Sequence, residues 1–212
     1  MTNSALAVEQ LSKHYRAGSR DEVRALHDVS LAIPAGSFVA LVGPSGSGKT
    51  TLLSLLGGLD RPSAGSVRFG DRELVSCSDV ELARLRRRMG FVFQGLSLVS
   101  RLPAWENVTY PLIPRGVSSG ERRRLAEDVL ARLDLAAKFE TPPEELSGGE
   151  QQRVAVARAL VGTPEVIFAD EPTSNLDRAS ASELAAVLSE VHAAGTTLVI
   201  STHDADLIAS AS

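Results

Sequence analysis

One cysteine, Cys77, stands in 212 residues. No intrachain disulfide framework is possible, which suits a reducing compartment. Aromatics make up only 4% of the chain, so its core is expected to be aliphatic. No apolar run approaches the ~20 residues that span a bilayer, so any membrane role is expected to come through a partner. The N-terminal MTNSALAVEQ has no basic patch followed by an apolar run, and no signal peptide is expected. Net charge is −4, which leaves no global basic field to attract nucleic acid. Two basic runs, Arg84 with Arg86 to Arg88 and Arg122 to Arg124, lack interleaved aromatics. They read as solvated helix faces paired locally with Glu81 or Glu127.

What is present is an α/β pattern, and the 43% hydrophobic content is ample for a core. Leu6 to Leu11 and Val29 to Ile33 alternate as half-buried strands, the second ending at the turn Pro34-Ala35-Gly36. Phe38 to Val42 is a short apolar run of the buried-strand type, and Thr50 to Leu59 reads as helix. Gly65 to Phe69 reads as a strand, Asp79 to Arg88 as a helix capped by Ser78 or Asp79, and Gly90 to Gln94 as a short strand. Pro103, Pro111 and Pro114 make Ser97 to Arg115 irregular, with room for a helix at Trp105 to Tyr110. Ser119 to Leu135 is amphipathic, with Leu125, Val129 and Leu133 on one face, and Pro142-Pro143 then breaks the chain. Gln151 to Val161 is expected as a helix and Val166 to Ala169 as a buried strand. Leu184, Val187, Leu188 and Val191 mark a helix stopped by Gly195, followed by a strand at Thr197 to Ser201. Strand, helix and strand in that order imply parallel pairing.

Two stretches grip anions. Gly43-Pro44-Ser45-Gly46-Ser47-Gly48-Lys49-Thr50, followed by Thr51, matches the phosphate-binding P-loop and sits between a strand and a helix, the context that motif needs. Its glycines let backbone wrap phosphates, Lys49 supplies a charge, and Thr50 offers a hydroxyl to Mg²⁺. Far downstream, Ser147, Gly148 and Gly149 of LSGGEQQR open a helix whose first N–H groups and dipole would meet a second anionic group. One chain with two such grips is expected to close them on one nucleotide by pairing with another chain. Asp170, at the tip of an apolar strand, would hold Mg²⁺ through water, and Glu171 would reach an attacking water as general base. His203 follows a core strand and can touch a γ-phosphate or orient the water. Gln94 could meet Mg²⁺ or the water, or be a surface glutamine. Tyr15, just after the first strand, could stack on adenine or pack against an edge strand.

Together GPSGSGKT, Gln94, LSGGEQQR, VIFADE, SNLD (Ser174 to Asp177) and STHD resemble the nucleotide-binding domain of ATP-binding cassette (ABC) transporters, over nearly the whole chain. The resemblance implies a P-loop NTPase of ABC type: a mixed-sheet core with an N-terminal antiparallel β subdomain and an inserted helical subdomain. The core would be residues 1–93 and 163–212, and the helical part 94–162. It implies ATP and Mg²⁺ as cofactors, Mg²⁺ being met by Thr50, Gln94 and Asp170. It implies a homodimer formed on ATP binding, in which Ser147, Gly148, Gly149 and Glu150 act in trans and Asp177 links the two sites. By the same resemblance Tyr15 is the adenine-stacking aromatic, Glu171 the base and His203 the switch histidine. The partner would be a separate integral membrane permease, placing the chain at the cytoplasmic face of the plasma membrane, with no nucleic-acid role.

Finer stretches, GGLDRPSAG (Gly57 to Gly65), GFVFQ, ENVTYPL (Glu106 to Leu112) and EPTSNLD, are similar to the lipoprotein-releasing and macrolide-exporting subgroup. An importer ATPase and a cell-division type regulator that transports nothing are the alternatives. GLSLVSRLPAW, between Gln94 and Trp105, departs from the family's commoner pattern at the segment that meets the permease. The stretch after His203 is short for the family, so the core sheet is expected to lack an edge strand.

Overall fold

The structure is a computed structural model that describes residues 4–19 and 21–211. It contains two four-stranded sheets. The antiparallel sheet has the order β2-β1-β4-β5, from β1 (Ser4–Tyr15), β2 (Val23–Pro34), β4 (Ala64–Phe69) and β5 (Arg72–Glu73). The parallel sheet has the order β3-β8-β7-β6, from β3 (Phe38–Leu41), β6 (Met89–Val92), β7 (Val166–Asp170) and β8 (Thr197–Ser201). The mixed α/β class read from the sequence is therefore the one observed.

Seven α-helices and three short 3₁₀ helices lie among the described residues. The α-helices are α1 (Lys49–Leu56), α2 (Asp79–Arg86), α3 (Ala104–Thr109), α4 (Ser119–Arg132), α5 (Gly148–Leu160), α6 (Arg178–Ala193) and α7 (Ala205–Ser210). Every residue of β7 and β8 is buried, because helices and the second sheet cover both faces. Successive strand residues point to opposite faces, and that splits the core in two. Ile167, Ala169, Leu198 and Ile200 pack with α3 to α6. Val166, Phe168 and Val199 pack with α1 and with Leu6, Val8 and Val67 of the antiparallel sheet.

Several expectations are corrected. The first two strands run longer than the alternation indicated, and Tyr15 is the last residue of β1, paired with Val23, rather than lying beyond it. The strand expected at Gly90 to Gln94 ends at Val92. β6 is the outer strand of its sheet, and the chain leaves it in a turn closed by the Leu96 N–H donating to Phe93 O at 2.9 Å. The proline-rich segment is more regular than its prolines suggest. Pro103 occupies the N-cap of α3, and Tyr110–Arg115 continues as a 3₁₀ helix with Pro111 in its first turn, where a missing N–H costs nothing. Buried Asn107 holds the preceding loop, accepting from Val99 N–H and donating to Val99 O and Leu102 O. The helix given as Gln151 to Val161 includes its expected serine–glycine start: Ser147 is its N-cap and the helix runs from Gly148 to Leu160.

The basic runs are not paired with Glu81 or Glu127 through hydrogen-bonded bridges. Arg88 forms a two-pronged pair with Glu165, Arg123 pairs with Glu140, and Arg124 with Glu121. Arg122 and Arg123 lie over the Trp105 ring. Proximity in the fold, not along the helix, chose most of these partners.

Candidate functional site

β3 delivers the chain to the Gly43–Thr50 loop and α1 carries it away. The loop turns through Gly46 (φ 79°) and Gly48 (φ 93°), both in the left-handed region. A Cβ on Gly48 would lie 2.4 Å from Ala25 O of β2, so only glycine fits there. Gly48 is also the N-cap of α1 and has no capping side chain, so the helix opens with its first-turn N–H groups facing the loop. The Lys49 ammonium folds over this loop, donating to Gly43 O at 2.7 Å and Pro44 O at 3.2 Å.

β7, separated from β3 by β8, brings Asp170 at its end and Glu171 just beyond it. Thr50 Oγ1 donates to Asp170 Oδ2 at 2.6 Å, and the Ser201 hydroxyl of β8 donates to Asp170 Oδ1. Asp170 is thus buried, with both oxygens held by hydroxyls from α1 and β8. Ser201 is a site residue that sequence reading passed over; it opens STHD, but nothing in its local sequence points to Asp170. Glu171 has φ 50°, a strained value for a glutamate, fixed by its N–H donating to Ser201 O at 2.9 Å. His203 Nε2 lies 3.5 Å from Glu171 Oε1.

A cavity of about 340 Å³ gathers Lys49, Thr50, Asp170 and Glu171, while Ser201 and His203 lie outside its lining. Its lining includes Tyr15, Ser45 to Thr51, Gln94, Asp170 and Glu171, together with Val23, Arg24 and Ala25, which the sequence did not suggest. Tyr15 is held from the side. Its hydroxyl donates to Asp60 Oδ2 at 3.2 Å, and Lys13 Nζ lies 4.9 Å from its ring centroid. Lys13 and Asp60 pair at 2.8 Å, and burial opposed by this pairing leaves the Asp60 carboxyl below its ordinary range. Among the described residues no group of three or more His, Cys, Asp and Glu could hold a metal. The Thr50 hydroxyl, the Asp170 carboxylate and the Gln94 amide are oxygen donors at one cavity, a set that fits a hard cation completed by phosphate and water oxygens.

The second stretch expected to grip an anion lies elsewhere. Ser147 is the N-cap of α5, and Glu150 closes a capping box: its carboxylate accepts from Ser147 N–H at 2.8 Å and from Ser147 Oγ at 2.9 Å. The Ser147 N–H is the main reason the Glu150 carboxyl titrates below its ordinary value, and Lys138 at 3.1 Å adds to it. In this chain Glu150 therefore serves the helix end. Ser147 and Gly148 are exposed, and a Cβ on Gly148 would meet open space. None of Ser147, Gly148, Gly149 and Glu150 lines the cavity. Asp177 is the N-cap of α6, accepting from Ala179 N–H and Ser180 N–H, with Ser180 chiefly responsible for holding its carboxyl below the usual value. A second, apolar groove of about 570 Å³ runs past Leu59, Phe91, Phe93, Tyr110 and Pro111. Among the described residues no helix is long and apolar enough to cross a membrane.

The profile of a family described as ABC transporter matches residues 26–174. A "Macrolide export ATP-binding/permease protein MacB" of Nitrosomonas europaea is 48% identical over 95% of this chain and 31% of its own length. One of the same name from Burkholderia thailandensis is 47% identical over 100% of this chain and 32% of its own. The chain thus spans about a third of the length of the curated relatives it matches. Among solved structures, a dimeric post-hydrolysis state of the ATP-binding cassette MJ0796, bound to ADP and Pi, superposes with a TM-score of 0.92. It is 38% identical, over 97% of this chain and 91% of that one.

Proposed function

The chain belongs to the ABC transporter family, and from that premise we propose that it is a Mg²⁺-dependent ATPase that works as a nucleotide-sandwich dimer to drive a membrane permease. One observation carries the reading: Lys49, Thr50, Gln94, Asp170 and Glu171 converge on one cavity while the exposed tip of α5 lies outside it. A second chain would bring its own Ser147, Gly148 and Gly149 to the γ-phosphate. The ADP- and Pi-bound cassette dimer that resembles this chain supports that arrangement.

The P-loop and Lys49 would hold the phosphates, with Tyr15 against the base. Thr50, Gln94 and Asp170 would hold Mg²⁺, which supplies positive charge to the phosphate oxygens. Glu171 takes a proton from water as its oxygen bonds to the γ-phosphorus; the bond from that phosphorus to the β–γ bridging oxygen breaks, and ADP leaves with that electron pair. His203, 3.5 Å from Glu171, orients the carboxylate and meets the γ-phosphate. Lys49 and the α5 N–H groups meet charge as it develops.

The permease is inferred from the relatives, whose names join an ATP-binding and a permease part. By the same likeness the system is of macrolide-export or lipoprotein-release type and the chain works at the cytoplasmic face of the membrane. The helical part, 94–162, would pass motion to the permease, which would dock in the apolar groove beside Phe93 and Tyr110. Glu171→Gln tests the core of this. It is expected to bind ATP normally, hydrolyse none, and sediment as a dimer when ATP is present. Hydrolysis at the parent rate would remove Glu171 from its role; an ATP-loaded monomer at high concentration would remove the sandwich.

A further inference from the structure

Arg158 has no place in the chemistry above, yet its surroundings are unusual. It lies near the C-terminal end of α5, about three turns from Ser147 at the same helix's N-cap. Its guanidinium donates from Nη1 to Ser97 O at 2.6 Å and from Nη2 to Leu96 O at 2.5 Å. Both acceptors belong to residues with left-handed backbone, Leu96 at φ 56° and Ser97 at φ 51°. Two successive non-glycine residues in that region are disfavoured and persist only where something holds them. The same turn begins at Phe93, whose carbonyl accepts from Leu96 N–H, so Gln94 sits inside it. Gln94 in turn lines the nucleotide cavity. No carboxylate among the described residues contributes to the charge state of Arg158; burial alone pushes its pKa down. Among the described residues this half-buried cation is hydrogen-bonded by two carbonyls of one strained turn, which is costly as packing. α5 also rests directly on β6, since a Cβ on Gly90 would come within 2.5 Å of Ala159 O. The helix and the start of the turn therefore move as neighbours.

We propose that Arg158 is a positioning residue: its forked guanidinium locks Leu96 and Ser97 left-handed and so sets where Gln94 points, tying the helix that caps one nucleotide to the glutamine facing another. This rests on the ATPase reading above. Lysine keeps the charge but cannot span two carbonyls with a rigid fork. On the loop side, Ser97→Pro holds φ negative at 97, removes the Ser97 N–H that donates to Gly95 O at 2.5 Å and pushes Leu96 to extended backbone, undoing the turn while leaving Arg158 intact. Ser97 is exposed, so this change leaves the core untouched.

The test measures ATP affinity by fluorescent-nucleotide titration and kcat with saturating MgATP, for the parent chain, Arg158→Lys, Ser97→Pro and the double variant. Each single variant is expected to bind ATP as the parent does and to lose about tenfold in kcat, as misplacement of a positioned group does. The double variant is expected to lose no more than the worse single one, because both changes undo the same turn. Parent kcat in Ser97→Pro, or losses that multiply in the double variant, would overturn the assignment, and the first holds even if Arg158→Lys does not fold. A parent chain that hydrolyses no ATP while binding it would instead defeat the ATPase reading.

Discussion

At the residue scale, the site depends on backbone positions where side-chain identity is dictated by space and torsion. Gly48 is the sharpest. Its φ of 93° and the Ala25 carbonyl 2.4 Å from a Cβ act together. An alanine there costs about 1–2 kcal/mol for the torsion alone, and the overlap with backbone adds to it. Gly48→Ala is expected to lower the melting midpoint by several degrees, since roughly 2–4 °C follows each kcal/mol in a chain of this size. It should also weaken ATP binding by distorting the loop, as titration of the folded variant would reveal; parent-like affinity and stability would contradict the packing argument. Glu171 is the opposite case, a non-glycine residue kept in a left-handed conformation by its N–H to Ser201 O. Its sequence, beside Asp170 at a strand tip, identified the carboxylate but not the torsion.

At the element scale, the parallel strands are tied where they begin. Arg88 precedes β6 and Glu165 precedes β7; their side chains meet at 2.6 and 2.7 Å, and Glu165 N–H donates to Arg88 O at 2.9 Å. The Arg88 hydrogen bonds hold the Glu165 carboxyl below its ordinary value of 4.5. A carboxyl lowered in the folded state contributes stability that is present above the unfolded pKa and lost as pH falls through the folded one. Both side chains are about half exposed, so solvent screening limits the pair to under about 1 kcal/mol. Glu165→Gln is expected to melt slightly below the parent at pH 7 and level with it once pH is well under 4.5. A difference that stays constant across that range would mean the ionised pair contributes nothing. The elements themselves were legible where the pattern was strong: the helical period of α6 and the short unbroken apolar runs of β7 and β8. The boundary at Val92 was not, because β6 gives way there to the turn that Leu96 N–H closes on Phe93 O, whereas the start of α5 follows from the Ser147–Glu150 capping box spelled out in LSGGEQQR.

At the scale of the whole molecule, the Gly43–Thr50 loop and the α5 tip are separate in one chain, and the proposed sandwich makes a mixing prediction. Gly148→Asp puts a carboxylate at the first turn of α5, where open space and the helix dipole favour it for folding, yet where it would repel a phosphate. Lys49→Ala disables the P-loop. Each homodimer is expected to be nearly inactive. An equal mixture forms heterodimers in which one site joins an intact P-loop to an intact α5 tip, so ATPase activity should reappear on mixing. Activity no greater than the sum of the separate variants, with heterodimers demonstrated by pull-down of a tagged copy, would place both grips in one chain.

The sequence by itself determined the α/β class, the glycine loop Gly43–Thr50 between strand and helix, the strand-tip pair Asp170 and Glu171, and the serine–glycine helix start. Each of these is written within a few consecutive residues, because each is a local demand of backbone shape or helix polarity. Tertiary structure alone decided what those groups rest on. Thr50 reaches Asp170 across 120 residues, Ser201 reaches it across 31, and Arg158 reaches Ser97 across 61. Such contacts leave no spacing signal in one chain, since they arise only when parallel strands and the α5 helix are brought side by side by burial of their apolar faces.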